Sequence, residues 1–483
     1  LQKTVLDQTP IVLQAQNTTK LNLQPLLFQG PPSLAANVAK PRKNGLFNPS
    51  ITRAPTNLCP RCAWIISFRV DALHQCGRDS PYLNASEFVG PKPGGWFKAT
   101  AFGVYDANFN LLNWTWFYTK PMTQIIPRTP GVISGHGWPG ASGPEGPPWF
   151  HQVYDVRLLS YDDHLLATMN CLACHWSVVN IHLEGVATDD GGVRQLRAWA
   201  LDRVVDAKNS EWARGRNHAM FRGAPSRRLR GQSALLFQPW PGMVASFGSP
   251  MWRAEVVRAC SRAGGRQIRL CGTMPLNHSA RVQTLVDRRG GKRSDFGRLR
   301  LLMNESVPRL SKEATGGHRM SLTAHLVRVR WAGCSALIGG AHTHRAKGRL
   351  LRKQERLGDG ATRRRRDHTA PDRSDEPFAF GYRYTHVWYA LEPRPPYRVI
   401  ATSREFCLGA QQATDDCESV QYISGLAVAD GSGRPSEDGA RLIMTYGVND
   451  CESKVAELST ARLREMLVPV GAHVGSCVVD ELS

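Results

Sequence analysis

The sequence predicts an all-β fold. Short apolar runs rich in β-branched and aromatic residues recur along its 483 positions, each bounded by Gly, Pro, Asn or Asp turn signals. Long helical stretches are few. Only "STARLREML" near the C-terminus reads as a helix, with Ser459 or Thr460 as its N-cap and Leu463, Met466 and Leu467 on one face. Repeated short strands of this kind build sandwiches, barrels or propellers. No internal repeat shows in the sequence, so periodicity does not choose among them.

Taken in order, residues 1–45 are rich in Gln, Asn, Thr and Pro and read as a flexible leader or stalk. From Leu46 the texture changes. "WFKATAFGVYDANFNLLNWTWFYTK" (96–120) is a hairpin about the turn "DANFN", and 132–149 is a Gly/Pro loop. "RLLSYDDHLLATMN" (157–170) is two short strands around a polar turn. Further strand pairs follow in 175–201 about "DDGG" and in 233–248 about "PWPG". Strands are also expected in 321–345, 395–408 and 419–448. Between them, 346–376 is almost all charge, Gly and Pro, a basic insertion expected to be disordered because it cannot bury a core. Residues 46–470 form the domain, and 471–483 a C-terminal tail.

Hydrophobic residues make up 42% of the chain and 13 residues are Trp, enough for a substantial core. The formal net charge is +21, a balance that suits anionic partners. The excess is concentrated in Arg-rich stretches such as Arg363–Arg366. With no aromatic residues between those charges to stack bases, no nucleic-acid partner is expected. No run reaches the roughly 18 apolar residues of a membrane helix, so no membrane insertion is expected within the chain.

Twelve cysteines leave two readings. Cys59, Cys62, Cys171 and Cys174 form two C-x-x-C pairs that match a four-thiolate zinc site. The other spacings suit disulfides, with Cys260–Cys271 and Cys407–Cys417 closing short loops. Sequons at Asn17, Asn84, Asn113, Asn277 and Asn304 point to a glycoprotein of the secretory pathway (Golgi lumen, cell surface or secreted), where disulfides persist.

One short stretch carries the chemical signal. In "HQVYDVRLLS" an acid and a base, Asp155 and Arg157, stand two residues apart just before a strand, where residues of that parity share a face. A surface ion pair is the plain reading; a sugar-binding or catalytic acid at the mouth of a β-rich enzyme is the sharper one.

Several blocks together resemble the five-bladed β-propeller of glycoside hydrolase family 130, the mannoside phosphorylases and hydrolases, in a divergent, Cys-rich eukaryotic branch. They are "LFNPSI" (46–51), "YDVRLLSYDDHLLATMN" (154–170), "WARGRNHAMF" (212–221), "LIGGAHTHR" (337–345), 382–406 and 419–459. The resemblance implies a carbohydrate-active protein that inverts at a mannoside-like centre. Its single general acid would be Asp155, and inorganic phosphate a possible co-substrate in place of a second carboxylate. The same resemblance implies substrate contacts from Asn48, Arg157, Arg216, Asn217, His342, Tyr384, His386 and Asp450. Two departures bear on catalysis: Tyr154 stands where the family has Glu, and Val156 where it has Pro. The alternative is a glycan-binding propeller that has lost its acid–base residues. His342 and His344 alternate along one strand, but no third ligand accompanies them, so no metal is expected.

Overall fold

The structure is a computed structural model. It describes residues 11–21, 23, 45–71, 98–118, 153–161, 164–171, 178–203, 219–225, 233–240, 243–246, 255–261, 268–275, 320–331, 334–344, 384–393, 399–409, 420–436, 439–448 and 452–469. The basic insertion 346–376, the tail 471–483, Arg216, Asn217 and Asp450 lie outside these residues.

Two strands come first, β1 (Ile11–Leu13) and β2 (Gln16–Leu21). Five sequential strand groups follow. The first is β3 (Gly45–Arg53), β4 (Trp64–Asp71), β5 (Lys98–Tyr105) and β6 (Leu111–Tyr118); the second is β7 (Val153–Tyr161), β8 (His164–Cys171), β9 (Val178–Ala187) and β10 (Val193–Arg203). The third holds β11 (Ala219–Pro225), β12 (Ser233–Trp240), β13 (Met243–Ser246), β14 (Glu255–Ser261) and β15 (Ile268–Pro275). The fourth holds β16 (Met320–Leu322), β17 (Val327–Trp331), β18 (Cys334–His344), β19 (Tyr384–Leu391), β20 (Val399–Ser403) and β21 (Phe406–Leu408). The fifth is β22 (Gln421–Ala429), β23 (Arg441–Val448) and β24 (Glu452–Ser459), followed by helix α1 (Thr460–Met466) and β25 (Leu467–Pro469).

Within each group the paired strands run antiparallel. The expected hairpin about "DANFN" is β5–β6, where Asp106 accepts hydrogen bonds from the backbone N–H groups of Asn108 and Asn110, both at 2.9 Å. The "DDGG" turn joins β9 to β10, with Gly191 at φ 78° supplying the left-handed residue; only Gly takes that conformation without strain. The outer strands β6 and β10 pair in parallel, fusing the first two groups into one eight-stranded sheet.

The cores lie between successive groups. Ile65, Phe102 and Val104 pack with Leu158, Leu165 and Ile181 between the first and second. Phe221 of the third group packs with Leu322 and Leu337 of the fourth. Trp388 and Ile338 pack with Leu426 and Met444 between the fourth and fifth, and Ile443 and Val455 of the fifth return to Ile66 and Phe68 of the first. Sheets buried on both faces in this cyclic order make a propeller-like all-β fold. Each large apolar side chain fully buried there contributes about 1.5–3 kcal/mol.

The helix is capped as expected: the Ser459 hydroxyl accepts from the N–H of Arg462, and Leu463 and Met466 are buried. The leader is a correction. β1 pairs in parallel with β21, and β2 pairs antiparallel with β24, so residues 11–21 are outer strands rather than part of a flexible stalk. Residues 16–20 of β2 are all exposed. An outermost strand facing solvent needs no apolar alternation, so "QNTTK" carries no strand signal.

Candidate functional site

Two of the strands that open the groups are enclosed almost throughout. β22 is buried along its whole length, and β3 at every residue but the last. Both, and β7 with them, are interrupted. One extra residue enters β3 between Phe47 and Ser50, β7 between Tyr154 and Arg157, and β22 between Ile423 and Gly425. In the fourth group β16 and β17 pair with the same strand, β18, on either side of Thr323–Leu326. A bulge of this kind re-aims a side chain and frees backbone groups from the ladder.

The bulges come together. Ser424 Oγ donates to the carbonyl of Pro49 at 2.7 Å, and Ser67 Oγ to that of Val156 at 2.6 Å. The N–H of Leu158 reaches Ser50 Oγ at 3.0 Å, and that of Ser160 reaches Thr52 Oγ1 at 2.9 Å. Side-chain hydroxyls thus satisfy the ladder groups the bulges release, as buried polar groups require.

Asn48 and Asp155 occupy two of these bulges, both left-handed at φ 48° and 51°. Among L-residues Asn and Asp tolerate that region best. Asn48 Nδ2 donates to Asp155 Oδ1 at 2.8 Å, and Arg69 Nη1 lies 3.4 Å from the same oxygen. The Arg69 guanidinium is itself held 4.7 Å from the Phe47 ring centroid and 4.6 Å from that of Tyr154, a desolvated cation–π arrangement on two sides. Asp155 keeps 12% of its side-chain surface accessible and Arg69 15%. Gly447 completes the close packing, since a Cβ there would stand 2.8 Å from the Asn48 backbone nitrogen.

Arg157 goes elsewhere. It is 2% exposed; Nη1 donates to the carbonyl of Leu322 at 3.2 Å, and Nη2 donates to the Tyr422 hydroxyl. Burial lowers its guanidinium to about 10, opposed chiefly by the Asp155 carboxylate, so it stays charged at neutral pH. Asp155 and Arg157 were expected just before a strand on a shared face; they lie inside β7, Asp155 within the bulge and Arg157 just past it. The extra residue breaks the parity on which that expectation rests.

His342 and His386 face each other across β18 and β19, and both are buried. The His342 ring stands edge-on to Tyr422 with centroids 4.8 Å apart, and Tyr384 lies 5.6 Å from it. His386 accepts through Nε2 from the N–H of Ile423 at 3.2 Å, which puts its proton on Nδ1; burial pushes its pKa down to about 3. The structure therefore places Asn48 with Asp155, and Arg157 with His342 and Tyr384 through Tyr422. It places His386 beneath them as a neutral support.

Sequence reasoning missed two residues. Arg69 had one available signal, a single cation inside the apolar strand "WIISFRVD". His325 had less: it sits in the four-residue break between β16 and β17. Its Nδ1 accepts from the N–H of Met220 at 2.8 Å, while Nε2 lies 2.9 Å from the Arg157 carbonyl and carries the proton. Burial, the largest influence, pushes it down to about 3, so it is neutral and ties β7, β11 and the fourth group together.

The zinc reading of the C-x-x-C pairs does not hold for the first of them. Cys59 and Cys62 are bonded to each other, and a disulfide offers no thiolates to a metal. Cys407 is also in a disulfide; its partner lies outside the described residues, as do the side chains of Cys260 and Cys271. No group of three or more His, Cys, Asp or Glu with metal-binding geometry occurs among the described residues. No helix among them is long and apolar enough to cross a membrane.

No known family profile matches the chain, and no curated protein matches it in sequence. Solved structures do resemble it. A glycosyl hydrolase from Bacteroides ovatus aligns over 94% of this chain and 95% of its own, at 10% identity and a TM-score of 0.38. A β-1,2-mannobiose phosphorylase from Listeria innocua, in complex with β-1,2-mannobiose, aligns over 93% and 99%, at 12% identity and a TM-score of 0.35. A mannose phosphorylase from Leishmania mexicana, in complex with a phosphate ion, aligns over 88% of each chain, at 9% identity and a TM-score of 0.31. At these values the likeness bears no weight by itself; the strand order and the side chains above carry the reading.

Proposed function

We propose that the chain is a carbohydrate-active protein of the secretory pathway whose five strand groups are the blades of a glycoside hydrolase family 130-like propeller, with Asp155 as the general acid of an inverting mannoside phosphorylase. The observation that carries this is the solitude of Asp155. Among the strands that open the five groups, β3, β7, β11, β16 with β17, and β22, it is the one acidic residue. It sits on a left-handed bulge with Asn48 and Arg69 on a single oxygen.

An inverting hydrolase needs a second carboxylate to activate water from the opposite face. A phosphorylase does not, because phosphate arrives already anionic and is held by guanidinium forks. In this reading Asn48 and Arg69 hold the carboxyl, which delivers the proton to the leaving oxygen while phosphate attacks the anomeric carbon. Inorganic phosphate is then a co-substrate. The Tyr154 that replaces the family's Glu stacks on Arg69, which supports the acid's anchor rather than supplying a second acid.

A second reading, glycan binding without turnover, draws on the same contacts, since an acid with two donors on one oxygen also makes a fixed acceptor for sugar hydroxyls. Turnover of a panel of aryl and oligo-mannosides, with and without phosphate, separates the two. The phosphorylase reading expects phosphate-dependent release of mannose 1-phosphate and a loss of about 10²–10⁴ in rate for Asp155→Asn, with fold and glycan binding kept. Binding without turnover across the panel selects the second reading. Phosphate-independent hydrolysis overturns the first.

A further inference from the structure

Of the five sequons, two fall among the described residues, and the fold treats them in opposite ways. Asn113 stands on β6, half-buried at the seam where β6 meets β10. Its Nδ2 donates to the carbonyl of Val193 at 2.9 Å, and its Oδ1 accepts from the N–H of Trp114 at 2.7 Å. A sugar ring on that nitrogen would have to stand between the two outer strands whose parallel pairing joins the first two groups.

Asn17 is the converse. It lies on β2, the terminal strand of its sheet, with Gln16 to Lys20 all exposed. Its φ of 48° falls at an irregularity in the β2–β24 register, between Gln16 and Thr19. Its Nδ2 donates to Glu457 Oε2 at 2.9 Å, and Arg441 Nη1 holds the other oxygen of that carboxylate at 2.7 Å. A glycosylated asparagine nitrogen keeps one hydrogen. The contact to Glu457 can therefore survive modification while the second hydrogen is replaced.

From this geometry we propose that Asn17 is an N-glycosylation site and that Asn113 is excluded from modification in the folded chain. The proposal rests on the secretory-pathway part of the functional reading and is independent of the mannoside chemistry. The donor is a polyprenyl diphosphate-linked oligosaccharide. Asn17 Nδ2 forms the N–C bond to its anomeric carbon, the C–O bond to the diphosphate breaks, the polyprenyl diphosphate leaves with the electron pair, and the amide proton is lost. Among the described strands β2 ends its sheet, so a glycan there would also cap an edge of the kind that pairs with other chains.

The test is secretion of the full chain, behind an added signal peptide, from a cell that performs N-glycosylation. Peptide mapping after enzymatic glycan release in heavy-oxygen water then marks each asparagine that carried sugar. Wild type is expected to show the mark at Asn17 and none at Asn113. Asn17→Gln and Thr19→Ala should each remove that glycan; Thr19→Ala keeps the Asn17 amide for Glu457, so it separates loss of the sugar from loss of the contact. Folded, secreted protein bare at Asn17, or glycosylated at Asn113, overturns the proposal. Neither outcome touches the mannoside reading, which is decided by turnover of Asp155→Asn.

Discussion

Asp155 and Arg157 stand two residues apart on one strand, yet the first is partly accessible and the second is buried. Asp155 is turned by its bulge toward Asn48 and Arg69 of the first group. Arg157 reaches the fourth and fifth groups, donating to a backbone carbonyl and to a phenol. The difference shows how such a ring divides labour along a single first strand. The bulge leaves a carboxylate partly accessible, and the residue just past it staples the neighbouring groups.

The largest effect expected from that division is on stability. Arg157→Met keeps most of the stem's volume but leaves the Leu322 carbonyl and the Tyr422 hydroxyl without their donor in a buried setting. Two buried acceptors at about 1–3 kcal/mol each make a loss of about 4 kcal/mol. Asp155→Asn should cost less, about 1–2 kcal/mol, because an amide oxygen still accepts from Asn48 and only the charge opposite Arg69 is lost. Urea unfolding of both variants checks this. Equal losses would erase the distinction between presenting and stapling residues.

The staple has a pH signature. His325 and His386 are both pushed down to about 3 by burial, whereas in the unfolded chain they titrate near 6.5. Between those values the unfolded state binds more protons than the folded one, so stability is full above about pH 6.5 and is lost as pH falls. Each histidine contributes a slope of about 1.4 kcal/mol per pH unit, about 3 for the pair. His325→Gln, whose amide can both accept and donate, should remove about half of that slope between pH 6 and 5. A slope unchanged by the substitution would mean that His325 is protonated in the folded protein and does not accept from Met220.

What the sequence shows of this arrangement depends on which physical signal each part leaves. Hairpins were legible because "DANFN" and "DDGG" must supply turn geometry that few residues give. The helix was legible through its serine cap and apolar face. The strand β2 was not, since five of its residues face water and hydrophobic patterning has nothing to report. At the candidate site, Asp155 and Asn48 were singled out, but their contact was not. Each bulge is set by a register slip between strands, and one extra residue in an apolar run looks like any other. Arg69 and His325 escaped because their partners, Phe47, Tyr154 and Asp155 for one and Met220 and Arg157 for the other, come from different strands and carry no joint motif. "C-P-R-C" at 59–62 fitted a metal as well as the favoured disulfide, and the placement of the two sulfurs decides between them.

The smallest expected effect isolates the bulge itself. Asn48 contributes two separable things, a left-handed backbone at φ 48° and an amide hydrogen bond to Asp155. Asn48→Gly keeps the first and loses the second; Asn48→Ala loses both, because its Cβ is strained in that region. The difference between the two variants is therefore the backbone cost, about 1 kcal/mol in favour of glycine. The loss that both share reports the amide's hold on the acid. If the site works as proposed, both variants also slow mannoside turnover, and to a similar degree, since positioning depends on the amide and not on the Cβ. Should Asn48→Gly retain full activity while Asn48→Ala loses it, the bulge conformation alone would be placing Asp155, and the amide contact would be incidental to the chemistry.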